Sequence, residues 1–283
     1  MTKLIRYDTA VEYLKDNQRW LERREALNSL LLGLTLDSAK RDIDDGFYLT
    51  LQSGNEIQFA GMQTKGRNLI VYSDELLPAD SLSVLAEHLE KEKPNLPGIL
   101  GPKEIALQLG AALKDRLGWS NKVVYEQLVY ELVEVKYNPP FAGELRRATL
   151  EDIDLVSNWM HRFLVEALNE DDETAARANA AKKIKNEEVF FWNNGEDVSM
   201  TCLARPTNNG ITVNYVFTPP EHRKKGYGTK VVAELSQLAL EKGYRFCTLF
   251  TDRNNPTSND IYRRIGYELI GEFRSLEFVR NAG

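Results

Sequence analysis

The chain has 283 residues, of which 42% are hydrophobic and 28% charged, and a formal net charge of −6 at pH 7. That length is about twice an ordinary domain, so two domains are expected, with the composition of a soluble globular chain. Net acidity argues against nucleic acid or an anionic membrane as partner; no apolar run is long enough to span a bilayer, and the charged N-terminus MTKLIRYDTAVEYLKD has no signal-peptide core, so the expected location is cytoplasmic.

Taken in order, residues 9 to 34 carry apolar residues at helical spacing, from Val11 and Leu14 to Leu30 and Leu31, with Gly33 as the stop. Three strands follow at 47–51, 57–62 and 68–72, joined by Ser-Gly-Asn and Lys-Gly-Arg turns. A helix from about Pro78-Ala79-Asp80 to Lys93-Pro94, a short strand at 98–101, a helix from Lys103 to Leu117 and a strand over 123–132 complete this half. Residues 138–143, Asn-Pro-Pro-Phe-Ala-Gly, have the composition of a linker. The expected domains are therefore 1–137 and 144–283.

Beyond the linker, 144–149 reads as a strand and Thr149 as the cap of a helix whose apolar stripe includes Ile153, Val156, Trp159 and Phe163. A charged, alanine-rich helix (Asp172 to Asn186) precedes a hairpin of 189–192 and 198–204 around Asn193-Asn194-Gly195. A strand with Val213, Tyr215 and Phe217 ends at Pro219-Pro220. Arg223-Lys224-Lys225-Gly226-Tyr227-Gly228 then leads into a helix with Val231, Val232, Leu235, Leu238 and Ala239 on one face and Gly243 as its C′ residue. Cys247–Thr251 is a further strand.

Strand, glycine loop and helix is a geometry that binds phosphate, because a helix start offers unpaired N–H groups and glycines let backbone approach the ligand. The spacing excludes two familiar versions. A Walker loop needs four residues between its first Gly and Gly-Lys-Ser/Thr, whereas Thr229-Lys230 follows Gly228 directly; a dinucleotide fingerprint needs a small residue where Val231 stands. The basic run Arg223-Lys224-Lys225 is open to two readings, a solvated turn or an anion site at a helix mouth.

The spacing that fits is Arg-x-x-Gly-x-Gly (Arg223, Gly226, Gly228), followed at a matching distance by Asn255-Pro256-Thr257-Ser258-Asn259-Asp260-Ile261-Tyr262 and Gly266-Tyr267. Here the second half resembles the GNAT superfamily of N-acetyltransferases. The resemblance implies an α/β (α+β) fold, a mixed and mostly antiparallel sheet flanked by helices, with acetyl-coenzyme A as cosubstrate, no metal, and an amine-bearing acceptor. It implies that the loop Arg223, Lys224, Lys225, Gly226, Tyr227, Gly228, Thr229 holds the coenzyme diphosphate and that Val216, Phe217 and Thr218 pair with its pantetheine arm. A backbone N–H near Phe217 would then face the thioester oxygen. Asn255, Ser258, Asn259 and Tyr262 are coenzyme-side residues by the same resemblance; Asn255-Pro256 turning the chain and Ser258 or Asn259 capping the helix are compatible alternatives.

The element order of the first half resembles a GNAT-like unit that has lost its cofactor site, since Tyr72–Ala79 occupies the loop position with Asp74 and Glu75; an unrelated α/β domain is the alternative. For chemistry, Tyr262 is the candidate general acid, or else a packing residue against Gly266-Tyr267. Glu166 and Asp252 are candidate bases, each also readable as a solvated or capping carboxylate. The expected activity is direct acetyl transfer to a primary amine. Alternatives are a non-catalytic acyl-coenzyme A sensor or interaction module, and transfer of a longer acyl group into a pocket narrowed by Phe190, Phe191, Trp192 and Tyr215. Cys202 and Cys247 read as buried free thiols, and His88, His161 and His222 lack ligand spacing. The sequence assigns no oligomeric state and no specific acceptor.

Overall fold

The computed structural model describes residues 2–42, 45–92, 96–118 and 120–279. One element order, β-α-α-β-β-β-α-β-α-β, occurs twice along the chain. Its first pass is β1 (Thr2–Tyr7), α1 (Ala10–Leu21), α2 (Ser29–Arg41), β2 (Phe47–Ser53), β3 (Glu56–Gln63), β4 (Leu69–Tyr72), α3 (Ala79–Glu92), β5 (Gly98–Pro102), α4 (Lys103–Leu117) and β6 (Ser120–Leu132). Its second is β7 (Glu144–Arg147), α5 (Ile153–Leu168), α6 (Glu173–Lys185), β8 (Val189–Asn193), β9 (Asp197–Ala204), β10 (Gly210–Phe217), α7 (Tyr227–Glu241), β11 (Phe246–Asp252), α8 (Pro256–Ile265) and β12 (Glu268–Val279).

The chain forms two compact units that interleave in sequence. The first holds Met1–Val129, Asp252–Asn254 and Ile270–Gly283; the second holds Tyr130–Thr251 and Asn255–Leu269. In the first, strands run β1-β2-β3-β4-β5-β12-β6, with β4 and β5 parallel and β1-β2, β2-β3, β3-β4 and β5-β12 antiparallel. The last strand of the chain thus closes the first unit, pairing from Phe273↔Pro102 to Glu277↔Gly98. Leu49, Leu51, Phe59, Leu85, Leu89, Leu109, Leu113 and Leu276 form one core beneath it, which is the main favourable term holding these layers together.

In the second unit the order is β11-β10-β9-β8-β7, antiparallel except for β10 with β11. Its helical layer packs Val156, Trp159 and Met160 of α5 and Ala180 and Ile184 of α6 onto Phe191, Met200, Cys202 and Phe217 of the sheet. Arg146 braces the edge: its guanidinium reaches Asp152 and Asp197, and its hydrogen bonds to these two partners, opposed by burial, raise its pKa far above the ordinary range.

Some expectations are corrected. The single helix over 9–34 is two. A Thr9/Glu12 capping box starts α1, and after Leu21 the buried Asn28 donates its side-chain N–H to the Leu21 carbonyl at 2.9 Å, satisfying a helix end that would otherwise need another residue of helix. Gly33 lies inside α2, which stops instead at Asp42 with φ 55°. β1 and β12 are not among the expected strands; in β1, Arg6 packs over Phe47 with 4.2 Å to the ring centroid and donates to the Tyr48 carbonyl, which accommodates its charge on the sheet. The expected helix end at Lys93-Pro94 lies outside the described residues.

Because Leu276 is 1% exposed within the first unit's core, Leu276→Ala lowers the unfolding free energy by about 2–5 kcal/mol in a urea melt. A loss below about 1 kcal/mol would contradict the assignment of β12 to that core.

Candidate active site

The site begins where β10 leaves its neighbours. Pairing with β11 runs through Gly210↔Phe246, Ile211↔Cys247 and Thr212↔Thr248, and β10 continues past it to Phe217. On the other side, Asn214 faces Cys202 and Phe217 faces Met200, so Tyr215 and Val216 together oppose Thr201 in a β-bulge, with Tyr215 at φ 50°. A bulge leaves its extra residue outside the ladder, and a strand without a neighbour exposes backbone donors and acceptors. The end of β10 can therefore accept an extended ligand as a further strand, the mode expected for Val216, Phe217 and Thr218.

After β10, one 3-10 turn (Pro220–His222) leads to Lys224 at φ 62° and Gly226 at φ 83°, and α7 begins at Tyr227. Left-handed turns at a helix start are a backbone form that binds anions, because the first amides of the helix have no intrahelical acceptor and the dipole is positive there. A Cβ at Gly226 would lie 2.8 Å from the Phe141 ring, and one at Gly228 would lie 3.3 Å from Thr218 Oγ1. Gly226 thus lets the Phe141 ring lie directly on its backbone and Gly228 lets α7 start against Thr218, and a left-handed turn at a helix start is a backbone that fits a bound diphosphate.

The loop's side chains are fixed from several directions. Arg223 Nε donates to the Thr218 carbonyl at 2.8 Å, its Nη2 donates to Glu166 Oε2 at 2.6 Å, and its Cζ lies 5.8 Å from the Phe217 ring centroid. Thr218 Oγ1 is 2.8 Å from Ser199 Oγ, which also donates to the Phe217 carbonyl. Lys224 and Lys225 are exposed and, among the described residues, have no carboxylate partner. One turn into α7, the buried Lys230 reaches Asn138 and Glu234 at 3.0 and 2.7 Å and lies over Trp192. Burial works to raise the Glu234 carboxyl, but hydrogen bonds from Lys230 and Asn138 and the lysine charge outweigh it and hold it below the ordinary value.

The second half of the motif forms α8. Asn255 is its N-cap, accepting from the Ser258 amide at 3.0 Å, so it both turns and caps the chain, and Ser258 and Asn259, the expected caps, lie inside the helix instead. Ser258 bonds the Tyr262 hydroxyl and Asn259 is buried. Tyr262 is 7% exposed between Tyr130 and Tyr267, with ring centroids at 6.4 and 6.0 Å. Burial pushes its phenol up to about 12, against a smaller opposing effect of the Ser258 hydrogen bond. Tyr267 in turn meets Ser236 of α7 at 2.8 Å, tying α8 to the helix that starts at the loop.

Glu166 stands at the Arg223 end of this arrangement, half exposed and ion-paired. Asp252 accepts the Asn254 amide at 2.8 Å and belongs to the first unit. Cys202 and Cys247 are buried and free, and burial pushes both thiols up to about 12, which makes them poor nucleophiles. Phe141 and Ser199 escaped the sequence reading. An aromatic in an otherwise small-residue linker was the available signal for the first; Ser199, one polar residue in a hairpin strand, gave none. In the first unit the equivalent loop is self-satisfied: the Leu77 amide donates to Gln108 at 3.0 Å, and Asp74 is ion-paired with Arg23 at 2.8 Å.

Residues 153–267 match the sequence profile of the Acetyltransferase (GNAT) family, and this part of the chain is a GNAT acetyltransferase domain. A Bacillus subtilis (strain 168) protein described as the uncharacterized N-acetyltransferase YhfO is 24% identical over 133 residues, 44% of this chain and 89% of that protein. Among solved structures, a Drosophila protein is similar with a TM-score of 0.70 at 15% identity, covering 99% of each chain. A tandem GNAT protein from the clavulanic acid biosynthesis pathway has a TM-score of 0.58 at 13% identity, covering 99% of this chain and 98% of its own. A GNAT-family acetyltransferase from Colwellia psychrerythraea has a TM-score of 0.57 at 14% identity, covering 98% of both. The fold of the whole chain is thus a tandem GNAT fold.

The Tyr262 environment has a measurable consequence. The unfolded chain ionises a tyrosine near pH 10 and the folded chain holds this one neutral to about 12, so its contribution to stability is full below about pH 10 and lost as pH rises toward about 12. Urea melts over that window will show a steeper alkaline decline for the wild type than for Tyr262→Phe. Parallel declines would contradict the buried, neutral phenol.

Proposed function

We propose that the second unit moves an acetyl group from acetyl-coenzyme A directly to a primary amine within a ternary complex. The observation that carries this reading is the left-handed glycine turn at the mouth of α7, beside a β10 end that, among the described residues, has no strand partner beyond Thr212 on its β11 side. The turn suits a diphosphate and the strand end suits the amide-bearing pantetheine arm.

When bound, the coenzyme supplies an activated acyl group, and the chain's own residues supply position and proton control. The amides from Arg223 to Thr229, helped by Lys224 and Lys225, hold the anionic end. A backbone N–H near Phe217 polarises the acyl oxygen, a donor that side-chain substitution leaves intact. Tyr262 keeps its proton at the phenolic oxygen for the leaving sulfur. With the phenol at about 12 and a thiol near 8.5, direct transfer is uphill by on the order of 5 kcal/mol, so the proton must move as the C–S bond breaks rather than before. We assign Glu166 to receive the amine proton, directly or through water, with its pairing to Arg223 loosening as it does so. Asp74 and the bonded Leu77 amide support a first unit without a coenzyme seat.

Calorimetry with acetyl-coenzyme A and a thiol-release assay over an amine panel test this directly. Saturable binding is expected, weakened at least tenfold by Gly228→Asp. Tyr262→Phe is expected to keep binding within about twofold while kcat falls by about 10²–10⁴. Binding without thiol release for any amine, with Tyr262→Phe silent, would replace the enzyme by an acyl-coenzyme A sensor.

A further inference from the structure

Two guanidinium groups approach the same ring at the end of β10. Arg223 comes from the glycine loop, with Cζ 5.8 Å from the Phe217 centroid, and Arg162 comes from α5, with Cζ at 5.2 Å. A guanidinium lying over a ring gives its face to the π-system and keeps its in-plane N–H edge for an acceptor. On Arg223 that edge is filled, by the Glu166 carboxylate at 2.6 Å and the Thr218 carbonyl at 2.8 Å. Arg162 is partly buried on the same ring and, among the described residues, has no carboxylate within ion-pair distance.

The other charges of these two helices are largely engaged. Asp154 pairs with Arg177, His161 with Asp171 and Lys183 with Glu188, while Asp172 caps α6. The acids of α5 and α6 therefore leave Arg162 uncompensated beside the residue where the acyl-transfer strand ends. A planar anion presented to it would repeat, from solution, the carboxylate contact that Glu166 makes with Arg223.

We propose that Arg162 is the specificity residue of the acceptor site and that the acceptor amine carries a carboxylate, as an amino acid does. This rests on the acetyltransferase reading for its setting. The carboxylate seats on the Arg162 fork, and the Phe217 end of β10 fixes how far from that fork the amine is held. Plain polyamines and amines with a neutral amide in place of the carboxylate lack the second contact and are poor acceptors.

Equilibrium binding of the twenty N-acetyl amino acids and their matched primary amides, to the full chain and to Arg162→Gln, tests this without any need for turnover. At least one carboxylate form should bind at least tenfold more tightly than its amide, and Arg162→Gln should abolish that difference while coenzyme A affinity stays within about twofold. Equal binding of acid and amide throughout, or a carboxylate preference that survives Arg162→Gln, overturns the proposal. So does a tenfold loss of coenzyme A affinity in Arg162→Gln, which would assign the arginine to the coenzyme. Failure of the chain to bind coenzyme A at all would instead sink the acetyltransferase reading, and the acid–amide comparison would still judge Arg162. In the transfer assay, the same substitution should raise KM for amino acids with kcat little changed.

Discussion

A backbone held in the left-handed region at Lys224 and Gly226, immediately before α7, governs this site. That turn decides where the helix starts and which amides are left without an intrahelical acceptor. It also brings Gly228 against Thr218, whose hydroxyl is fixed by Ser199, so the loop is indexed to the end of β10. On one edge of β10, pairing with β11 stops at Thr212 among the described residues, while on the other the bulge at Tyr215 and Val216 interrupts the ladder with β9. The geometry from which the proposed diphosphate site is argued thus follows from a few residues in unusual backbone conformations, each fixed by neighbouring contacts.

The two passes through one element order share a fold and differ in one loop. Both units retain the sheet and its helices, because these depend on burial of residues such as Leu49 and Leu85 in one and Trp159 and Phe191 in the other. The loop after the fourth strand of each pass obeys different physics. In the first unit the Leu77 amide and the Asp74 carboxylate are satisfied by Gln108 and Arg23; in the second, Lys224 and Gly226 hold left-handed backbone, and Lys224 and Lys225 are exposed with no carboxylate partner among the described residues. Core packing is indifferent to that difference, so one architecture accommodates two unlike loops.

Much of this could be read from the chain alone, for physical reasons. Glycines at fixed spacing, a proline pair and a periodic apolar face mark the strand, loop and α7 because they are local backbone requirements. Thr149 as a cap and Asn255-Pro256 as a turn are legible for the same reason, whereas the cap expected at Ser258 or Asn259 falls on Asn255. What escaped depends on long-range partners. β1 looks too charged to be a strand until Arg6 is found lying over Phe47, and the membership of β12 in the first unit is set by pairing with β5, which no local signal encodes. The division into α1 and α2 turns on one buried amide, Asn28. The pairing of Glu166 with Arg223 and the position of Arg162 over Phe217 are likewise invisible until helix and loop are folded together.

The most direct measurement of the central claim is a backbone amide NMR titration with coenzyme A. The account predicts the largest nitrogen and proton shifts, moving together to saturation, at the amides from Lys225 to Thr229, with dephosphorylated pantetheine failing to reproduce them. Saturable coenzyme binding that leaves those amides unmoved would contradict it.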